Sequence, residues 1–308
     1  MKALTLIVPC AIAIALLAAW LWTPDRSRAA LEALYLREPA DMMEVSGVRL
    51  HVRDTGPRDA PAILMLHGFG SSLHTWEPWA EALSDQYRVV RLDLPGSGLS
   101  PSDPSANYTD TRTLTLLLAL MNQLGIDRAS LIGNSIGGRI AWTFAAAHPD
   151  RTNRLILISP DGFASPGFAY NEAPEVSPLL GVMRYVLPKA VLRVNLAQSY
   201  GDPSVLTPAT VDRYYDLMRA PGARAALLDR MGQTILIPPE QQLRSIEAPV
   251  LLLWGERDAL IPFSNASDYS ANLRDSRLVS FPTLGHVPHE ESPMESLAPV
   301  RAFLVEGS

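Results

Sequence analysis

The strongest constraint on this chain is a series of short, wholly apolar runs with helical patterns between them. Residues 62–66 end in His67-Gly68, 87–94 run into Pro95-Gly96, and 130–132 into Gly133. Further on, 155–158 end in Ser159-Pro160, 250–253 in Trp254-Gly255, and 277–281 in Pro282. Helical periodicity fills the gaps at 77–84, 111–124, 136–148 and 295–305. Strands apolar on both faces are buried on both, and helices alternating with them cover a mostly parallel sheet from two sides. Residues 48–53 instead alternate apolar and polar, the pattern of a half-buried antiparallel strand. The alternation stops between about 163 and 242, a stretch rich in Pro, Leu and Arg with helical patterns at 183–196, 208–219 and 224–235. The chain thus divides into 1–28, an apolar N-terminal segment; 29–44, a linker; 45–162 and 243–308, two parts of one α/β core; and 163–242, an inserted helical cap.

Composition excludes several classes. Hydrophobic residues make up 47% of the 308 positions and charged ones 19%, so the chain is not disordered. Net charge is −6 with no Lys/Arg cluster, which argues against a nucleic-acid partner. The single cysteine, Cys10, allows neither an intramolecular disulfide nor a Cys-based zinc site.

In a sheet of this kind, sites gather at the carboxyl ends of the strands. Here those ends carry His67, Asp93, Gly133, Asp161, Gly255 and Gly285. Gly133-Asn134-Ser135-Ile136-Gly137 follows one strand and opens a helix. A serine in so sharp a turn needs small residues two positions to either side, and the turn lifts its hydroxyl above the sheet edge. Five residues with three fixed recur by chance, so the weight lies in the strand-to-helix context.

A hydroxyl becomes a nucleophile only beside a base, and the base needs an orienting acid, in the chain order Ser, Asp or Glu, His. Of six histidines, only His286 and His289 follow Ser135 and lie past the last strand. His286, after Gly285 in the loop itself, is the better base, with His289 bonding nearby backbone. His51 reads as a surface residue, His67 as a loop-shaping one, and His148 as the end of a helix. Asp258, just past a strand end, is the preferred acid. Asp161 remains an alternative, and Glu256 and Asp268 are less well placed. Two backbone N–H groups, of Ile136 and of Phe69 between its two glycines, suit an oxyanion hole.

Taken together, the motifs His67-Gly68-Phe69-Gly70, Asp93 to Ser100, Gly133 to Gly138, Gly255 to Asp258 and Gly285 to His289 resemble the α/β-hydrolase superfamily over about residues 45–305. The resemblance implies a nucleophile at Ser135, an acid at Asp258, a base at His286, and neither metal nor cofactor. The Asn-Ser elbow and the Gly-His-Val-Pro ending look like small bacterial esterases and lipases, which implies a carboxylic ester hydrolase. The elbow is also similar to that of C–C bond hydrolases acting on aromatic ring-cleavage products, the alternative reading. Ser135 stands where the dehalogenases and epoxide hydrolases of the fold use Asp. Peroxidase-like members share the triad, and a non-enzymatic binding module on this fold usually lacks one of its members.

Residues 3–22 hold no charged side chain and end in Trp20 and Trp22. At about 1.5 Å per residue such a helix spans roughly 30 Å, one hydrocarbon core. The expectation is a retained membrane anchor, with Cys10 an apolar residue within it. Lys2 before the segment and Arg26 and Arg28 after it favour a cytoplasmic body, whereas N-terminal apolar signals of bacterial type favour export. The reading taken is an inner-membrane protein with its catalytic domain in the periplasm. Residues 27–38 form a short amphipathic helix, either on the membrane surface or as a linker. The cap residues Phe168, Leu179, Leu180, Met183 and Tyr185 are candidates to line a lipophilic cleft for a small-molecule or lipid ester.

Overall fold

The computed structural model describes residues 21–164 and 169–306. The expected anchor, Cys10 and Phe168 therefore lie outside the described residues, Leu21 and Trp22 excepted. Among those described, no helix is long and apolar enough to cross a membrane.

Eight strands form one sheet in the order β1-β2-β4-β3-β5-β6-β7-β8. They are β1 (Met42–Val45), β2 (Val48–Thr55), β3 (Ala62–Leu66), β4 (Arg88–Leu92), β5 (Ala129–Asn134), β6 (Thr152–Ile158), β7 (Val250–Gly255) and β8 (Ser276–Phe281). β2 runs antiparallel to both β1 and β4, and every other pairing is parallel. Thus β3, β5, β6, β7 and β8 lie side by side with their carboxyl ends at one edge. β1 starts inside the stretch read as a linker. A two-residue turn, Ser46-Gly47, joins it to β2, with φ of 49° and 78°. Two positive φ values in succession match the twist of a tight hairpin.

The helices are α1 (Arg28–Tyr35), α2 (Glu77–Leu83), α3 (Asp110–Gln123), α4 (Ile136–Ala147), α5 (Pro178–Gly181), α6 (Lys189–Ala197), α7 (Pro208–Met218), α8 (Ala223–Gln233), α9 (Glu240–Ser245), α10 (Asn265–Asn272), α11 (Pro288–Glu291) and α12 (Pro293–Val305). Strand side chains alternate between two cores. Leu64, Leu131 and Leu252 face a layer that includes Leu116 and Leu120 of α3 and Ile140 and Phe144 of α4. Ile63, Ile132 and Leu251 face the opposite layer, with Trp79 of α2 and Val300 of α12. This is the doubly covered, mostly parallel sheet expected from the apolar runs. Between β6 and β7 the described chain adds no strand to the sheet and holds α5 to α9. The helical pattern at 183–196 is broken, because Pro188 lacks an N–H and stands at the N-cap of α6.

Two N-terminal expectations change. On α1, Leu31 is 1% exposed and packs with Leu99, Leu217, Ala220 and Ala223. Leu31 therefore rests on the protein's own body, while Leu34 stays exposed. Residues 23–28, assigned from sequence to the N-terminal segment, are bonded to the inserted helices. The Thr23 N–H donates to the Tyr185 carbonyl, the Arg26 N–H donates to the Arg219 carbonyl, and Arg224 pairs with Asp25.

Candidate active site

Ser135 leaves β5 directly and caps α4 with φ 56° and ψ −123°. A non-glycine residue held there costs on the order of 1–3 kcal/mol, so the surroundings must over-determine it. They do so by hydrogen bonds: the Ser135 N–H donates to the Ile158 carbonyl, and the Ser135 carbonyl accepts from the N–H groups of Arg139 and Asp161. The small neighbours expected of the turn have a direct steric reason. A Cβ on Gly133 would lie 2.2 Å from the Gly137 carbonyl oxygen, and one on Gly137 would lie 2.2 Å from that of Leu66.

His286 lies in the loop after β8, and its Nδ1 is 2.7 Å from Asp258 Oδ2. The other carboxylate oxygen accepts from the N–H groups of Leu260 and Ile261 at 2.8 and 2.9 Å. A carboxylate held this way can only accept, so the imidazole proton sits on Nδ1 and Nε2 is left as a base. The His286 N–H donates to the Ser199 carbonyl. Its own carbonyl accepts from Asn134 Nδ2 at 2.9 Å, which ties the base loop to the serine turn. Ser135 and His286 line one cavity of about 130 Å³, together with Gly68, Phe69, Leu196 and Tyr200 among others. Asp161, the alternative acid, is turned elsewhere and pairs with Arg139 at 3.1 Å. Glu256 accepts from Ser280 at the surface, and Asp268 is exposed.

Ile136 is the first residue of α4, so its N–H is among those a helix leaves unpaired. Phe69 lies in the loop after β3 and borders the cavity. That loop is held by His67, whose Nδ1–H donates to the Gly68 carbonyl while Nε2 accepts from the Leu94 N–H. Burial pushes the His67 pKa down, in keeping with this neutral tautomer.

Other histidines differ from expectation. His51 is not a surface residue: it is fully buried, 2.7 Å from Asp93 Oδ2. The alternation along β2 was misleading because two of its polar positions, His51 and Arg53, are buried against Asp93 and Glu77. Asp93 also accepts from the N–H groups of Leu73 and Leu99. Burial raises its pKa, but His51, by its charge and its hydrogen bond, leads the effects that outweigh burial and hold it well below the usual range. Asp93 thus pins two loops and takes no place in the cavity. His289 bonds a side chain, not backbone. Thr75 Oγ1 donates to Glu290, so His289 Nε2–H donates to Thr75 at 3.0 Å. Its ring stacks on Trp76, and burial pushes its pKa down to about 3.

Sequence reasoning missed Asn134 as a brace and Glu291 as a clamp. Glu291 accepts from the N–H groups of Gly201, Asp202 and Gly285, holding the loop after α6 against the base loop. A carboxylate five positions after the base, at the end of the short helix α11, was the available signal. Leu179, Leu180 and Tyr185 do not line the cavity; they are exposed. Met183 packs on Leu187, Leu192 and Tyr214.

Comparison with known proteins agrees with this fold. The family model for the alpha/beta hydrolase fold matches residues 61–293. The 2-hydroxy-6-oxo-6-phenylhexa-2,4-dienoate hydrolase of Burkholderia cepacia is 29% identical over 255 residues, which is 79% of this chain and 86% of that one. Among solved structures, a membrane phospholipase A described as a bacterial virulence factor is 28% identical with a TM-score of 0.74, covering 99% of this chain and 98% of that one. The enol-lactonase of Burkholderia xenovorans LB400 is 25% identical with a TM-score of 0.74, covering 86% of this chain and all of that one.

Proposed function

The chain belongs to the alpha/beta hydrolase fold family, and from that premise we propose that it is a serine hydrolase cleaving carboxylic esters through an acyl-enzyme on Ser135. His286 Nε2 takes the Ser135 proton as the hydroxyl oxygen attacks the ester carbonyl. The Phe69 and Ile136 N–H groups stabilise the oxyanion of the tetrahedral intermediate. As the C–O bond breaks, His286 returns the proton to the leaving alcohol. Water, deprotonated by His286, then attacks the acyl-enzyme and releases the acid and Ser135. Asp258 holds the imidazole in the tautomer that leaves Nε2 free. The observation that carries this reading is the 2.7 Å contact between His286 Nδ1 and Asp258, on a histidine that borders one cavity with Ser135.

Residues 163–242 act in this reading as a cap over the sheet edge, with Leu196 and Tyr200 supplying apolar wall to the cavity. Residues 1–20 act as a membrane anchor, with the body in the periplasm. The likeness to a membrane phospholipase over almost the whole chain supports both the anchor and a lipid-like ester. The test is hydrolysis of p-nitrophenyl esters from acetate to palmitate by the full chain and its Ser135→Ala variant. Ser135→Ala should lower kcat by at least about 10⁴-fold with an unchanged melting temperature. Residual activity close to the parent's would remove Ser135 from the mechanism.

The likeness to the Burkholderia cepacia hydrolase favours a second reading, cleavage of a C–C bond in a ring-cleavage dienoate. Loss of dienoate absorbance, with no ester of any length hydrolysed, would select it.

A further inference from the structure

The inserted segment has an outer surface that its own fold does not explain. Its inward residues Leu187 and Leu192 pack on Tyr214. Yet its outward positions are apolar as well: Leu179 is 83% exposed and Val194 63%, with Val182, Tyr185 and Val191 between them also exposed. A helix whose outer face meets only water carries charge there. An apolar outer row marks a surface with an occupant.

Three observations identify that occupant. First, the uncharged stretch 3–22 ends at this surface: Trp22 stacks on Tyr185 with ring centroids 5.6 Å apart, and Thr23 bonds to Tyr185 and Leu187. Second, residues 178–197 contain no Asp or Glu but three basic side chains, Arg184, Lys189 and Arg193, in a chain of net charge −6. Arg184 and Lys189 reach back to Asp229 and Asp212, while exposed Arg193 has no ion pair among the described residues. Apolar side chains flanked by bases match the interface of a bilayer with anionic headgroups. Third, α6 continues from Val194 to Leu196, which lines the Ser135 cavity.

We propose that residues 178–197 and Trp22 form a bilayer-docking face, which seats the inserted helices in the headgroup region and opens the Ser135 cavity toward the leaflet. An apolar molecule held in the membrane then reaches Ser135 without crossing water. The proposal rests on the membrane-anchor reading above but not on the esterase reading.

The test uses the full chain in vesicles of phosphatidylcholine and phosphatidylglycerol. In a Cys10→Ser background, Leu179→Cys, Val194→Cys and, as control, Asp59→Cys are labelled with an environment-sensitive fluorophore. Asp59 is exposed in the turn before β3, at the opposite end of the sheet. Emission at 179 and 194 should shift to the blue and be quenched roughly twofold or more by spin-labelled lipid, with the control unaffected. Protein that floats with the vesicles while 194 stays as wet as 59 overturns the docking face alone. Protein that does not float overturns docking and anchor together. A dry probe that spin-labelled lipid does not quench places a second copy of the chain on this face and overturns the lipid assignment.

Discussion

Asp258 divides its two oxygens between two tasks, one holding the Leu260 and Ile261 amides and the other the His286 ring. Asn in its place keeps the first task but turns an N–H toward Nδ1. The imidazole must then carry its proton on Nε2, where it can no longer accept from Ser135. Asp258→Asn is therefore expected to lower kcat by about 10⁴-fold while moving the melting temperature little, read from ester kinetics beside a thermal scan. A loss of less than about tenfold would take Asp258 out of the proposed triad. His289 predicts a pH effect on stability. Its folded pKa is about 3, whereas an unfolded histidine titrates near about 6.5. Between those values the unfolded chain binds the extra proton, so stability is lost as pH falls below about 6.5, at about 1.4 kcal/mol per pH unit for this one group. His74, pushed down to about 4 by burial, adds to the same slope. His289→Gln keeps an N–H for Thr75 and removes the titration. Its urea midpoint should fall less steeply than the parent's between pH 6.5 and 5, and equal slopes would contradict the assignment.

Helix α1 shows what an amphipathic pattern leaves unsaid. Leu31, Leu34 and Tyr35 mark an apolar side, but the pattern does not name the surface it meets. The body claims Leu31, and Leu34 stays exposed. Leu31→Ala is accordingly expected to cost about 2–4 kcal/mol in chemical denaturation, the range for a buried leucine. A loose linker would give a change within about 0.5 kcal/mol. The same distinction governs the rest of the chain. The parallel strands were legible because burial on both faces leaves an uninterrupted apolar run, as in 62–66. The Ser135 turn was legible because its steric demands fall on adjacent residues. β1 was missed because Met42–Val45 is short and at the sheet edge, although Ser46-Gly47 is a hairpin signal. His51 was misread because polar residues can pair with buried charge, and a partner 42 positions away leaves no local trace. The Glu291 clamp and the Asn134 brace are long-range in the same sense: Asn134 joins the ends of β5 and β8, Glu291 joins the segment after α6 to the loop after β8, and only the assembled fold brings them together.

At the scale of the whole molecule, the boundary between tether and body is itself testable. A cut after residue 28, as the sequence suggests, removes an intact set of contacts. Asp25 pairs with Arg224, Arg26 pairs with Asp216, and Arg28 donates to the Leu99 carbonyl at 2.8 Å. Arg224 is 4% exposed, so losing Asp25 leaves a buried guanidinium without its counter-charge. Water reaching the site through the opened edge offsets part of that cost, leaving roughly 2–3 kcal/mol. A chain of this size shifts by about 2 °C per kcal/mol, so residues 29–308 should melt about 5 °C below residues 21–308. Asp25→Asn in the longer form should reproduce part of the drop, which separates the charge from the loss of chain. The consequence reaches the active site through α7, since its Tyr214 borders the Ser135 cavity and donates its hydroxyl to Glu290. Residues 23–28 thus brace the helices that wall the site, and the shorter form should also show a raised KM for long-chain esters. Equal melting temperatures for the two forms would return these residues to the tether.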